Sequence, residues 1–178
     1  MALPRTVSGA VRTAGSGGLS LLELLVVLLV MSIMAALTVP MLSSTAANRL
    51  GWAACQVESD IIYAQTESMV HESDRRVLTF DTTHNRYSLA TAAAPDTPLA
   101  HPVTGGPYTI TFGDSNHPQL RGVSVSSYSL GGGSHLGFGL YGQLDQSTAA
   151  TVTFAAGERH ITVTIDASTG KVTIGHVR

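Results

Sequence analysis

Gly18-Leu19-Ser20-Leu21-Leu22-Glu23-Leu24-Leu25-Val26-Val27-Leu28 sets one carboxylate, Glu23, near the head of an apolar run, and no charged side chain follows from Leu24 to Leu42. As a helix, that uncharged run would span roughly 28 Å, about the hydrocarbon core of a bilayer. Upstream, residues 1–18 carry Arg5 and Arg12, no acid, and the small-residue string Gly15-Ser16-Gly17-Gly18, which reads as a leader rather than a folded element. The next basic residue is Arg49. The positive-inside rule therefore keeps the leader cytoplasmic and sends the remainder of the chain outward. Two plainer readings compete. A secretory signal wants an apolar core of about 7–15 residues, and this run is longer, although Met34-Ala35-Ala36 offers a weak cleavage point. A simple signal anchor accounts for length and flanks but not for Glu23, because a carboxylate at membrane depth is expensive and functional by default.

The chain has 178 residues, 44% of them hydrophobic and 12% charged, with a formal net charge of -2. This suits one domain with an appendage. The mean hydropathy of +0.22 comes largely from the one apolar run. A polytopic membrane protein, a disordered tail and a basic nucleic-acid binder are excluded on that distribution. Cys55 is the single cysteine, so no intramolecular disulfide and no cysteine-rich zinc site can form. Stability must come from packing.

The quoted stretch resembles the class III signal of type IV pilins and type II secretion pseudopilins: glycine, a hydrophobic residue, three variable positions, glutamate, then an apolar helix. The resemblance implies cleavage by a prepilin peptidase between Gly18 and Leu19 and N-methylation of Leu19. Glu23 would be the fifth residue of the mature chain and Pro40 the twenty-second, where the family carries these residue types. Leu19 departs from the usual phenylalanine. The chemistry can be stated independently: a carboxylate four residues from a new amine on one straight helix cannot easily neutralise it, whereas a neighbouring subunit can. Glu23 of one chain paired with the Leu19 ammonium of another would cancel two desolvated charges and set an assembly register. Pro40 removes a helix hydrogen bond and clashes with the preceding turn, so it ends the helix or kinks it; the resemblance favours a kink in a helix that continues.

Beyond Pro40, Leu50, Ala54, Val57, Ile61, Ala64 and Ser68 recur at 4-3-4-3-4 spacing, one face of an amphipathic helix. Glu58, Asp60, Glu67 and Glu72 lie off this stripe and are expected to face water, with Thr45 or Asn48 as local breaks. Trp52, also off the stripe, is expected to seat the sheet or touch a neighbouring subunit. From Arg76 the texture changes to short alternating runs separated by turn residues, the pattern of an antiparallel sheet. Strands are expected over 77–80 and 86–89 around the turn Asp81–Asn85, then over 108–112, 123–128, 136–140, 151–154, 160–165 and 171–177. Residues 92–107, with Pro95, Pro98, Pro102, Pro107 and Gly105-Gly106, are expected to be a loop. Gly131-Gly132-Gly133 reads as a flexible turn, and Ala167-Ser168-Thr169-Gly170 joins the last hairpin.

This order resembles the GspH/FimT-type minor pseudopilins, including Phe138-Gly139-Leu140-Tyr141-Gly142 and Thr169-Gly170-Lys171-Val172. The expected fold class is α+β and pilin-like: a long N-terminal helix, membrane-spanning in its first half, packed on antiparallel sheet. The expected organisation is a cleaved leader over 1–18, a transmembrane and filament-core helix over 19–42, an amphipathic periplasmic half over 43–75 and a GspH/FimT-like sheet domain over 76–178. The resemblance implies a single-pass inner-membrane protein with a periplasmic domain. Its partners would be other pseudopilins or pilins, the prepilin peptidase and an inner-membrane assembly platform.

No catalytic constellation accompanies this. His71, His84, His101, His117, His135, His160 and His176 never stand at i, i+3 or i, i+4, and no HExxH, phosphate loop or Gly-x-Ser-x-Gly elbow occurs. Asp114, Asp145 and Asp166 fall in turns, where a calcium site is the alternative to ordinary turn chemistry, but their spacing gives no EF-hand. A structural subunit is expected, with no cofactor, metal or active site. Residues 43–178 hold 8 basic and 11 acidic side chains, and only Arg159, Lys171 and Arg178 gather near the C-terminus, which argues against nucleic acid as a partner.

Overall fold

In the computed structural model the described residues are 21–114 and 117–178, with the side chains of 35–44 outside the description. The chain falls into two compact units that divide after Pro40. Helix α1, Leu21–Val70, contributes to both and passes through Pro40 in helical backbone. In the first unit its described side chains, Leu21 to Met34, are all exposed, and Glu23 is the one acidic residue of the first turn.

In the second unit the helical stripe is the inner face. Leu50, Ala54, Val57, Ile61, Ala64 and Ser68 are each fully buried, as the spacing requires, and Ala53 joins them. Two antiparallel sheets complete this unit. The first contains β1 (Arg76–Asp81), β2 (Arg86–Thr91), β3 (Ala94–Pro98) and β6 (Leu136–Gly137) in the order β3-β2-β1-β6, with β4 (Thr109–Thr111) also pairing β2. The second runs β5 (Ser124–Ser129), β7 (Ala150–Ala156), β8 (Arg159–Ile165), β9 (Val172–Ile174). In β7 buried and half-buried residues alternate without exception, the period-2 signature of a sheet with one covered face. Its inward residues Val152 and Phe154 pack with Ile161, Val163 and Ile165 of β8, with Tyr87 and Leu89 of β2, and with the helical stripe in one apolar cluster.

The helix hands over to β1 at a polar corner. Buried Ser68 Oγ accepts the Arg76 N–H at 2.9 Å, and the Arg76 guanidinium, one-tenth exposed, meets Asp74 at 3.1 Å and Glu67 at 3.5 Å. At the opposite end of β1, Asn85 closes the hairpin turn with φ +51. Its side chain donates to the carbonyls of Phe112 and Val123 and accepts the Val125 N–H at 2.8 Å, which ties the first sheet to the edge of the second.

Three expectations are corrected. The strands form two sheets rather than one, because alternation marks a strand's covered face but not its partner. Residues 92–107 are not all loop: Ala94–Pro98 is a strand, and its prolines are tolerated because it lies at a sheet edge with an irregular register against β2. The run 136–140 keeps only Leu136–Gly137 as strand, since Gly139 turns to bond the Gln143 carbonyl.

Candidate functional site

Gly18 and Leu19, the expected cleavage and methylation positions, lie outside the described residues. Glu23 is exposed on α1 among Leu22, Leu24, Val26 and Val27, all exposed as well. A helix apolar on every side is stable only in apolar surroundings or against other apolar helices. Among the described residues no helix is long and apolar enough to cross a membrane. The apolar side chains described end at Met34, and in sequence the uncharged run continues to Leu42.

The folded unit adds a buried polar site centred on Asp60. Asp60, expected to face water, is 4% exposed. Its carboxylate accepts the Tyr87 hydroxyl at 2.5 Å, the Tyr108 hydroxyl at 3.0 Å and the Gln56 amide at 3.2 Å. Burial, and secondarily the Asp60 charge, pushes both tyrosine hydroxyls above their usual range, so they remain donors. Tyr108 also stacks on Tyr63 and contacts the His101 ring, so one carboxylate anchors β2 and the end of the 99–108 segment to the helix. The signal was present: Ala53, Val57, Asp60 and Ala64 also repeat at 4-3-4, which sets Asp60 on the flank of the buried stripe.

A second node joins the two glycine-bearing segments singled out in the sequence. Gln65 on α1 donates through Nε2 to the Gly142 carbonyl at 3.0 Å and the Gly170 carbonyl at 2.6 Å. Gly170 has φ +67, and a Cβ there would lie 2.0 Å from the Gly142 oxygen. Only glycine fits that approach. Beneath it, Asp166 accepts backbone and hydroxyl bonds from Ser168 and Thr169, and these, led by the Ser168 and Thr169 hydroxyls, hold its carboxyl down at about 2.

The other candidates stay apart. Asp166 is committed to its turn, Asp145 lies against the Gly137 backbone, and among the described residues no group of three His, Cys, Asp or Glu could hold a metal. His71 pairs with Glu67 and His84 with Asp81. Trp52 does not seat the sheet: it is 62% exposed and lines a shallow depression of about 310 Å³ with Ala47, Asn48, Gly51 and Cys55.

Comparison with solved structures assigns this architecture. The minor pseudopilin EpsH of the Vibrio cholerae Type 2 Secretion System matches with a TM-score of 0.52 and 13% sequence identity, over 72% of this chain and 97% of that one. The type IV minor pilin FimU of Pseudomonas aeruginosa matches with a TM-score of 0.51 and 16% identity, over 72% and 89%. The protein has the pilin fold. No protein-family profile and no curated protein matches the sequence. In the pilin fold the domain has its own core, with the Asp60 and Gln65 nodes locking sheet and loops to α1, and the exposed apolar helix ahead of it carries Glu23.

Proposed function

We propose that this protein is a minor pseudopilin of a type II secretion system, a structural subunit with no catalytic role. In this reading the prepilin peptidase cuts between Gly18 and Leu19 and Leu19 is N-methylated. The apolar helix then holds the protein in the inner membrane, with the domain in the periplasm, until the assembly platform adds it to a pseudopilus that helps export folded proteins. Glu23 neutralises the Leu19 amine of a neighbouring subunit, and Pro40 kinks the helix where membrane and domain halves meet. One observation carries the proposal: an exposed apolar helix with a single carboxylate near its head runs without a helical break into a pilin-fold domain. Quantitative proteomics of culture supernatants from wild type, a deletion strain and a Glu23→Ala strain tests it. Exported enzymes should vanish from the medium of both mutants and accumulate in the periplasm; matching supernatants would reject the secretion role.

The likeness to FimU favours a second reading, a FimT-like minor pilin of a type IV pilus, acting in pilus assembly or DNA uptake. The excess of acidic over basic side chains in residues 43–178 weighs against its DNA branch. Loss of surface pili in the deletion strain with an unchanged secretome would establish the pilus role.

A further inference from the structure

The outward face of the second sheet is nearly uncharged across its middle and ends in a concentration of nitrogen donors. Ser127, Thr153 and Thr162 share one cross-strand row and Ser129, Thr151, Thr164 and Thr173 the next. Past Ile174 the chain remains bonded to β8: the Gly175 N–H donates to the Thr162 carbonyl, and His160 and Arg178 exchange both backbone bonds, at 2.9 and 3.0 Å. Two residue steps on β8 thus face three on the final segment. The extra residue is a bulge at His176-Val177, a device that re-aims side chains. Val177 packs against the core and His176 is exposed.

The result is a depression of about 190 Å³ lined by His160, Thr162, Gly175, His176 and Arg178. Gly175 keeps its floor open, since a Cβ there would reach to 3.0 Å from the Thr162 carbonyl. Among the described residues none forms an ion pair or hydrogen bond with the side chains of His160, His176 or Arg178. A guanidinium and two imidazoles are therefore gathered around one small hollow with their donors uncommitted, beside the Thr162 hydroxyl, which shares a 3.1 Å hydrogen bond with Thr153, and no carboxylate side chain lines it.

We propose that this depression is a binding site for a compact oxyanion, a phosphate or sulfate group. Arg178 supplies the permanent charge and a planar fork of donors matched to tetrahedral oxygens. The two imidazoles add donors, and the Thr162 hydroxyl completes the set when it accepts from Thr153 and turns its own proton to the anion. Because the surrounding domain is net acidic, attraction is confined to the hollow and does not extend along a polyanion track.

Isothermal titration of the full chain in non-ionic detergent with sodium phosphate, and separately with sodium sulfate, at constant ionic strength tests the site. Saturable binding is expected with a Kd on the order of 1 mM, weakened at least about tenfold by Arg178→Gln and about threefold by His176→Gln, losses typical of charge-assisted bonds. Both side chains are exposed, and an unchanged far-UV circular dichroism spectrum and melting midpoint verify that each variant folds. No saturable heat with either anion, or equal affinity in wild type and Arg178→Gln, would overturn the proposal. So would binding of a short oligonucleotide without any binding of free phosphate, which would mark a polyanion surface instead.

Discussion

A single carboxylate does opposite work in the two units. Asp60 is costly to bury and is kept by three donors, so its removal strands two tyrosine hydroxyls in a core that cannot hydrate them. Asp60→Ala should destabilise the domain by about 2–6 kcal/mol, from about 1–3 for each of the two stranded hydroxyls, in urea unfolding followed by fluorescence. Adding Tyr87→Phe to that variant should recover at least about 1 kcal/mol relative to additivity, and strict additivity would show that the contact is not energetically coupled. Glu23 instead has no described protein partner beyond its own exposed helix. If it acts in assembly as proposed, Glu23→Ala should leave the domain's unfolding curve unchanged while abolishing crosslinking into filaments; normal crosslinking would remove it from the interface. Glu23 stands alone in an apolar run, a contrast visible in one dimension, whereas Asp60 sits among ordinary helical polar residues. Its two tyrosines arrive from 27 and 48 positions away.

At the scale of elements, the junction between the last hairpin and the 138–142 segment sets the tolerances. Gly157 and Gly170 both have positive φ, but a Cβ at Gly157 meets nothing within 4 Å while one at Gly170 collides with a backbone oxygen. Gly157→Ala should therefore cost only the left-handed penalty of about 1–2 kcal/mol. Gly170→Ala should cost about 2–4 kcal/mol or fail to fold, because the Gln65 node must open as well. Equal destabilisation of the two in chemical denaturation would contradict the packing account. The same turn carries a pH dependence with a defined sign. Asp166 is depressed in the folded state, so its stabilisation is complete above its ordinary value of 3.8 and is lost as pH falls towards about 2. The difference in melting midpoint between wild type and Asp166→Asn should be constant near neutrality and shrink through that acid window. Elements with strong periodicity were legible from sequence, the helical stripe and the 159–174 hairpin above all. The edge strand at 94–98 was not, because prolines that forbid a central strand are compatible with an edge, and edge position is a property of the sheet.

At the scale of the molecule, composition and periodicity specified an apolar helix followed by a helix-plus-sheet domain, but not the partition of the nine strands among the described residues into two sheets. That partition depends on contacts such as Asn85 with Val123 and Val125, which no local pattern announces. The two-unit organisation also makes the proposed order of events testable. Among the described residues the domain's core lies beyond Pro40, so changes at the head of the chain should act on processing and assembly without unfolding it. If cleavage creates the amine that Glu23 neutralises, a substitution that blocks cleavage and one that removes the carboxylate should fail at the same step by different routes. Gly18→Val is expected to accumulate in the membrane with its leader attached. Glu23→Ala is expected to accumulate with a mature N-terminus at methylated Leu19, and both should be absent from sheared filaments. Mass spectrometry of the N-terminal peptides distinguishes the two, and limited proteolysis of the domain should give the wild-type pattern in each. An N-terminus other than Leu19 in the wild type would refute the processing step, and entry of uncleaved Gly18→Val into filaments would break the link between the new amine and assembly.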